Sequence, residues 1–346
     1  MPASSKISTS DRHFFFLKKP GQLRRVFCPP SPPEKRQDRI VSHDYAAILE
    51  QIADEVAKAD FGTARKADYI PALSDVPDDH FAMVICGTDG QEFAIGQSDQ
   101  SFSIQSISKM FALVLAQRAH GDDLWQAVRR EPSGSAFNSL IQLEQENGIP
   151  RNPFINAGAI RVTDLITSRY ANPDRSVAEF LGQLCGNPDI RVDNDVYISE
   201  DQHGDRNRAI AYLMKSFDKL DNPVEDVVRA YFKQCSVAMT ARELARACRF
   251  LACKGVGMNG QPVITAEETS RINALMLTCG MYDGVGDFAF TVGIPAKSGV
   301  GGGIIGVVPG EFSVCVWSPR LDQRGNSAAG IRALEILIRA IGRSVF

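Results

Sequence analysis

Ser106-Ile107-Ser108-Lys109 leads into an apolar run carrying Met110, Phe111, Val114 and Leu115, and its reading decides the fold. The spacing predicts a buried helix over Ile107 to His120. At positions i and i+3, Ser106 and Lys109 share one helical face. A helix N-terminus favours negative charge developing on the serine oxygen. A lysine held among apolar side chains loses part of its preference for the charged form. A neutral amine beside a hydroxyl is a general base for a nucleophile. Spacing alone is weak evidence, because Ser216-Phe217-Asp218-Lys219 repeats it beside Lys215 and Asp221, where a solvated helix end is expected.

Working outward, Phe81 to Cys86 and Glu92 to Ile95 flank Thr88-Asp89-Gly90-Gln91, a hairpin pattern. Before it, Asp44 is placed to cap a helix with an apolar face of Ile48, Leu49, Ile52 and Val56. Near the other end, Phe288 to Val292, Gly303 to Val308 and Phe312 to Trp317 have strand composition, with a turn at Pro309-Gly310. Asn326 is expected to cap a final helix carrying Ile331, Leu334, Leu337, Ile338 and Ile341. Between these ends, roughly residues 120–280 predict helices and loops, among them Val177 to Leu184, Arg208 to Leu220 and Thr240 to Cys253. The fold class expected is α/β (α+β): an antiparallel sheet assembled from both ends of the chain, flanked by helices, with an all-helical lobe inserted. The sheet lobe is placed at about 41–105 and 283–346 and the helical lobe at about 106–282, with a ligand cleft between them.

Lys297-Ser298-Gly299-Val300 falls just before the C-terminal strand pair. Lys-Thr/Ser-Gly accompanies S-x-x-K in penicillin-recognising enzymes. An edge strand there would turn the Val300 N–H toward the cleft, and with the Ser106 N–H it would make a two-donor oxyanion hole.

Five ordered stretches, SIQSISK (103–109), EPSGSAFN (131–138), PRNPFINAGAI (150–160), CGMYD (279–283) and KSGVGGGI (297–304), together resemble the serine-dependent glutaminase family. The resemblance spans residues 41–346 and implies a β-lactamase/DD-peptidase-like fold. It also implies hydrolysis of L-glutamine to L-glutamate and ammonia, without metal or cofactor. It points to Ser106 as nucleophile, Lys109 as its base and Val300 as the second oxyanion donor. It makes Asn156 a substrate-binding amide and Glu200 and Asn207, in ISEDQHGDRN, the amino-acid-binding pair. Tyr231, Tyr282 and Tyr69 match family tyrosines of the site, and either Tyr282 or Tyr231 would relay a proton to the leaving ammonia. A carboxylate such as Glu200 suits an ammonium, and asparagine and tyrosine donors suit a carboxylate. Homodimers or homotetramers are implied as well.

The balance of 44% hydrophobic and 23% charged residues over 346 positions excludes wholesale disorder. Residues 1–40 hold nine Lys/Arg against three acids and six of the 18 prolines; they predict a disordered basic tail of net charge +6, leaving −9 on the remainder. Nucleic acid is a poor partner for such a body. No apolar run reaches the roughly 18 residues of a membrane span. The eight cysteines form no C-x-x-C pair and the histidines are scattered, so zinc spacing is absent. With no secretory h-region, the expected location is reducing and cytoplasmic. Gly255-Val256-Gly257-Met258-Asn259-Gly260 has G-x-G-x-x-G form, but it follows a helix rather than a strand, and Gly255 reads as a helix terminator.

Two other readings share these motifs. One is a penicillin-recognising β-lactamase or peptidase, against which stand the FINAGAI and ISEDQHGDRN stretches suited to a free amino acid. The other is a non-catalytic ligand-binding protein, against which stands the joint presence of Ser106, Lys109 and Lys297.

Overall fold

The computed structural model describes residues 43–134 and 136–346. The basic tail and Cys28 lie outside the described residues. The main sheet has five antiparallel strands in the order β2-β1-β8-β7-β6. These are β1 (Ala82–Gly87), β2 (Glu92–Gly96), β6 (Ala296–Ser298), β7 (Gly303–Val308) and β8 (Phe312–Trp317). The hairpin at Thr88–Gln91 joins β1 to β2, and β1 pairs with β8, so the two ends of the chain meet in the middle of the sheet.

Strand periodicity of two divides the residues between two cores. Met83, Ile85, Ile304, Val314 and Val316 face α1 (Tyr45–Lys58) and the C-terminal helix Ala328–Ile341. Ala82, Val84, Cys86, Ile305, Val307 and Cys315 face the opposite core. That core contains α2 (Ser108–His120) and the helix Ala241–Ala252, which packs on β1, β7 and β8. Because both faces are covered, β7 and β8 are buried at every position and read as continuous apolar runs. Cys86 and Cys315 are fully buried, small apolar fillers of the sheet. α2 is buried from Ser108 through Gln117, as an all-round apolar helix must be.

Asp44 caps α1, its carboxylate accepting from the Ala47 N–H. Thr240 caps Ala241–Ala252 with a reciprocal capping box to Glu243. Two local expectations are corrected. Phe288 to Val292 is not a strand: Val285–Thr291 is a helix. Helical spacing turns Val285, Phe288 and Val292 toward the α1 core, leaving Phe290 92% exposed, whereas a strand would have put residues 288, 290 and 292 on one face. The cap of the last helix is Ser327, whose hydroxyl accepts from the Gly330 N–H; Asn326 instead donates inward to the Met281 carbonyl.

A second sheet of three short strands, β3 (Ser101–Ser103), β4 (Arg191–Val192) and β5 (Val237–Thr240), runs in the order β3-β5-β4. The loop 299–302 lies against the end of β3. A Cβ on Gly301 would stand 2.2 Å from the Ser103 carbonyl oxygen, so only glycine permits this approach. Gly301→Ala is expected to destabilise the fold by more than about 2 kcal/mol through backbone displacement. Thermal unfolding checks this, and an unchanged midpoint would refute the close packing. Among the described residues, no helix is long and apolar enough to cross a membrane.

Candidate active site

Ser106 stands in the 3₁₀ turn Gln105–Ile107 that joins β3 to α2. The turn is pinned by β3–β5 pairing and by the Ser103 hydroxyl donating to the Cys235 carbonyl at 3.1 Å. Gln105 has φ 49° and Tyr282 has φ 50°, left-handed values that cost non-glycine residues energy. Both flank the serine: Gln105 precedes it, and the Tyr282 hydroxyl lies beside the Ser106 side chain while donating to the Ser298 carbonyl at 3.3 Å. Ser106 itself is 8% exposed, with its hydroxyl at the floor of a cavity.

Lys109 lies one helical turn further on and is 1% exposed. Its Nζ donates to Asn156 Oδ1 at 2.7 Å and to the Phe154 carbonyl at 3.2 Å. Burial pulls its pKa down from 10.5 to about 8. The two acceptors come from the PRNPFINAGAI stretch, whose local chemistry holds them in place. Asn152 Oδ1 accepts from the Phe154 and Ile155 N–H groups, and its amide donates to the Glu131 carbonyl. Asn156 begins α3 (Asn156–Thr167). A Cβ on Gly158 would meet the Asn152 carbonyl oxygen at 1.9 Å, so the glycine of this stretch lets the helix seat on its own leading loop.

Asn156 passes the contact on: its Nδ2 donates to Asn207 Oδ1 at 2.8 Å. Asn207 lies on α5 (Asp205–Ser216) and Glu200 on the preceding α4 (Asn194–Gln202), so the turn between them faces both toward one cavity. Burial raises the Glu200 carboxyl to about 7, opposed by the nearby Gln105 amide and the Lys109 charge. The cavity measures about 300 Å³ and is lined by Ser106, Asn156, Glu200, Asn207, Tyr231, Val300 and Tyr69 among others. Seven of the side chains singled out from sequence thus line one cavity, and Lys109 lies behind it, bonded to Asn156.

Val300 follows the edge strand β6, and its N–H has no hydrogen-bond acceptor among the described residues. The Ser106 N–H lies in the first turn of a helical segment, where backbone donors lack intrahelical partners. Tyr231, on α6 (Val224–Cys235), is buried with its ring centroid 5.9 Å from Lys109 Nζ. Its hydroxyl lies beside the Cys235 thiol, and burial raises it well above the ordinary phenol. Tyr69 is half exposed at the rim, and desolvation of its hydroxyl and the Glu200 charge both raise it. Lys297 is fully buried, donates to the Ser298 carbonyl and sits 4.8 Å from the Tyr282 ring centroid; burial and the nearby Lys109 hold it far below the usual lysine range. Among the described residues, no group of three or more His, Cys, Asp or Glu is placed to hold a metal ion.

Sequence reasoning passed over Gln105, His203, Arg206 and Cys235, all at the cavity. Two of them had a signal. His203 and Arg206 lie inside ISEDQHGDRN, so a turn that aims Glu200 and Asn207 at one ligand brings them along. Cys235 had none: its thiol, pushed up to about 12 by burial, sits between Tyr231 and Ser108 as an inert filler.

A serine and a buried lysine one turn apart, beside an antiparallel sheet with helices on both faces and the glycine-rich loop that follows its edge strand, define a β-lactamase-like α/β protein. The chain belongs to the glutaminase family, whose sequence pattern matches residues 64–346. It is 53% identical to the glutaminase of Ralstonia nicotianae over 304 residues, 88% of this chain and 100% of that one. It is 52% identical to a Vibrio cholerae glutaminase over 303 residues, 87% of this chain and 99% of that one. Among solved structures, the Bacillus subtilis probable glutaminase superposes with a TM-score of 0.76 at 31% identity, covering 86% of this chain and 97% of that one. Mglu in its glutamate form gives 0.82 at 34% identity, covering 88% and 70%.

Proposed function

We propose that this chain hydrolyses L-glutamine to L-glutamate and ammonia through a Ser106 acyl-enzyme, with Lys109 as general base. The observation that carries the proposal is the hydrogen bonding of Lys109. Its two acceptors, Asn156 Oδ1 and the Phe154 carbonyl, match the two N–H bonds of a neutral amine. The lone pair is then left for the serine proton. Ser106 attacks the side-chain amide carbon, and the oxyanion takes the N–H groups of Ser106 and Val300. Glu200 holds the substrate ammonium, while Asn207 and Tyr69 serve its carboxylate. Tyr282 is assigned the return of a proton to ammonia, because its hydroxyl lies beside Ser106 whereas that of Tyr231 lies beside Cys235. Tyr282 is a poor base for the first step, since burial pushes its phenol far above the ordinary value and leaves almost no phenolate. Water then hydrolyses the ester. A homo-oligomer in a reducing, cytoplasmic setting remains part of the proposal, supported by the family resemblance and by the cysteine usage.

The pH profile tests this scheme. Below about 7 the Glu200 carboxyl is protonated and cannot pair with the substrate ammonium, so KM rises as pH falls. Below about 8 Lys109 is charged and cannot accept a proton, so kcat falls too. Glutamine kcat/KM is expected to climb between pH 6 and 9. Glu200→Gln should raise KM by about 10- to 100-fold, the loss of one charge-assisted hydrogen bond, and flatten the lower part of the KM profile. A variant that binds glutamine with unchanged KM would remove Glu200 from ammonium recognition.

A further inference from the structure

Lys297 has no part in the scheme above, yet it is fully buried beside the reacting groups. Cross-strand pairing sets it opposite Ile305, on the sheet face that meets the core of α2. Its Nζ lies 4.8 Å from the Tyr282 ring centroid and 5.8 Å from that of Phe154. Among the described residues no carboxylate pairs with it, and its one side-chain hydrogen bond is donated to the Ser298 carbonyl. Burying an amine costs stability, and methionine, of similar length, would fill the space without that cost. What the amine adds, and a thioether cannot, is the hydrogen bond to Ser298.

That carbonyl has a second donor, the Tyr282 hydroxyl at 3.3 Å. A carbonyl oxygen carries two lone pairs, so both donors fit. The sharing matters when ammonia leaves. A hydroxyl pointed at Ser298 is pointed away from the leaving nitrogen, so Tyr282 must release the carbonyl in order to protonate it. Ser298 is 0% exposed, and a buried carbonyl stripped of its donor is costly. With Lys297 still bonded, the carbonyl is never bare. The Tyr282 ring stays in place meanwhile, since Phe137 packs against it with centroids 5.0 Å apart. Rotation about the C–O bond alone then swings the proton from Ser298 to the substrate.

We infer that Lys297 is a positioning residue for leaving-group protonation: by holding the Ser298 carbonyl, it releases the Tyr282 proton to the departing nitrogen. The inference deepens the acyl-enzyme reading above and rests on it, with Tyr282 as the donor. As the tetrahedral intermediate collapses, the C–N bond breaks and its electron pair stays on nitrogen, which takes the Tyr282 proton and leaves as ammonia. The phenolate regains a proton from Lys109, which took one from Ser106. Lys297 neither gains nor loses a proton.

The experiment compares glutamine with the γ-methyl thioester of L-glutamate, whose thiolate leaves without a proton. Glutamate release is measured for the full chain and its variants, with spontaneous cyclisation of the thioester subtracted. Lys297→Met should lower kcat on glutamine about 10- to 100-fold, the scale of one hydrogen bond lost in the transition state, with KM little changed. Thioester turnover should fall by less than about 3-fold, and the thermal midpoint should not drop. Tyr282→Phe should show the same selectivity, and the double variant should lose no more than the worse single one, because the two residues act on one step. Lys297→Gln keeps an uncharged N–H donor and should recover part of the rate that Lys297→Met loses; a residue acting by positive charge would give no recovery. Should Lys297→Met fail to fold, the glutamine-to-thioester ratio is read on Lys297→Gln, where it should still fall. Equal losses on both substrates, or losses that multiply in the double variant, overturn the assignment. The acyl-enzyme reading is scored separately, by a glutamyl adduct on Ser106 in acid-quenched parent protein given the thioester. An adduct with equal losses sinks the role of Lys297 alone, whereas no adduct sinks the covalent scheme and this inference with it.

Discussion

Ser106→Ala is expected to lower glutamine turnover by about 10⁴- to 10⁶-fold, the scale on which removal of a serine nucleophile acts elsewhere. That corresponds to about 5–8 kcal/mol of barrier at 1.36 kcal/mol per tenfold. The residual rate would come from the oxyanion donors and from substrate positioning, which the variant keeps. Nothing in the packing predicts unfolding. The hydroxyl lies at the floor of a cavity, and Tyr282 retains the Ser298 carbonyl as acceptor after Ser106 is shortened. The thermal midpoint should therefore stay within a few degrees of the parent while the glutamyl adduct disappears. Glutamine binding, measured by calorimetry, should survive, because Glu200 and Asn207 are untouched. A variant that still turns over glutamine at more than one part in a hundred would exclude Ser106 as the nucleophile.

How far this site can be read from sequence depends on the range of each interaction. β1, β2, β7 and β8 are legible because apolar runs bounded by turn residues carry their own boundaries. Val285–Thr291 is not, because Phe-Ala-Phe-Thr-Val has strand composition and only the α1 core decides which phenylalanine faces inward. Asn326 and Ser327 are adjacent residues with the same capping chemistry, and the choice falls to the Met281 carbonyl, which claims Asn326. β3, β4 and β5 run two to four residues, too short to hold a period. At the site, Ser106, Lys109 and Val300 carry local signatures. The left-handed backbone of Gln105 does not, since glutamine gives no sign of it. Nor does the contact between Tyr282 and Ser106, which exists only once β6 has docked against the turn. The acceptors of Lys109 belong to an intermediate case: FINAGAI is recognisable, but that it satisfies a buried amine follows only from loop closure.

Lys109→Met should lower kcat by about 10²- to 10⁴-fold, the usual contribution of a positioned general base, and remove the activity step near pH 8. Lys109→Arg should fail equally, because a guanidinium stays protonated and offers no lone pair. If Lys109 only supplied positive charge, arginine would restore most of the rate, so that pair of variants separates base from electrostatic anchor. Stability supplies an independent reading. Burial that lowers the amine from 10.5 to about 8 disfavours its charged form by about 3 kcal/mol at pH 7. Methionine lifts that penalty but strands Asn156 Oδ1 and the Phe154 carbonyl, at about 1–3 kcal/mol each. The two effects nearly cancel, and the neutral-pH midpoint should shift little. The pH dependence does not cancel. Between about 8 and 10.5 the folded lysine is neutral while the unfolded one still binds a proton, so unfolding takes up protons and the parent gains stability as pH rises. The methionine variant lacks this gain. Melts of both proteins across that window should therefore diverge in favour of the parent, and parallel curves would mean that Lys109 is not held neutral by the fold.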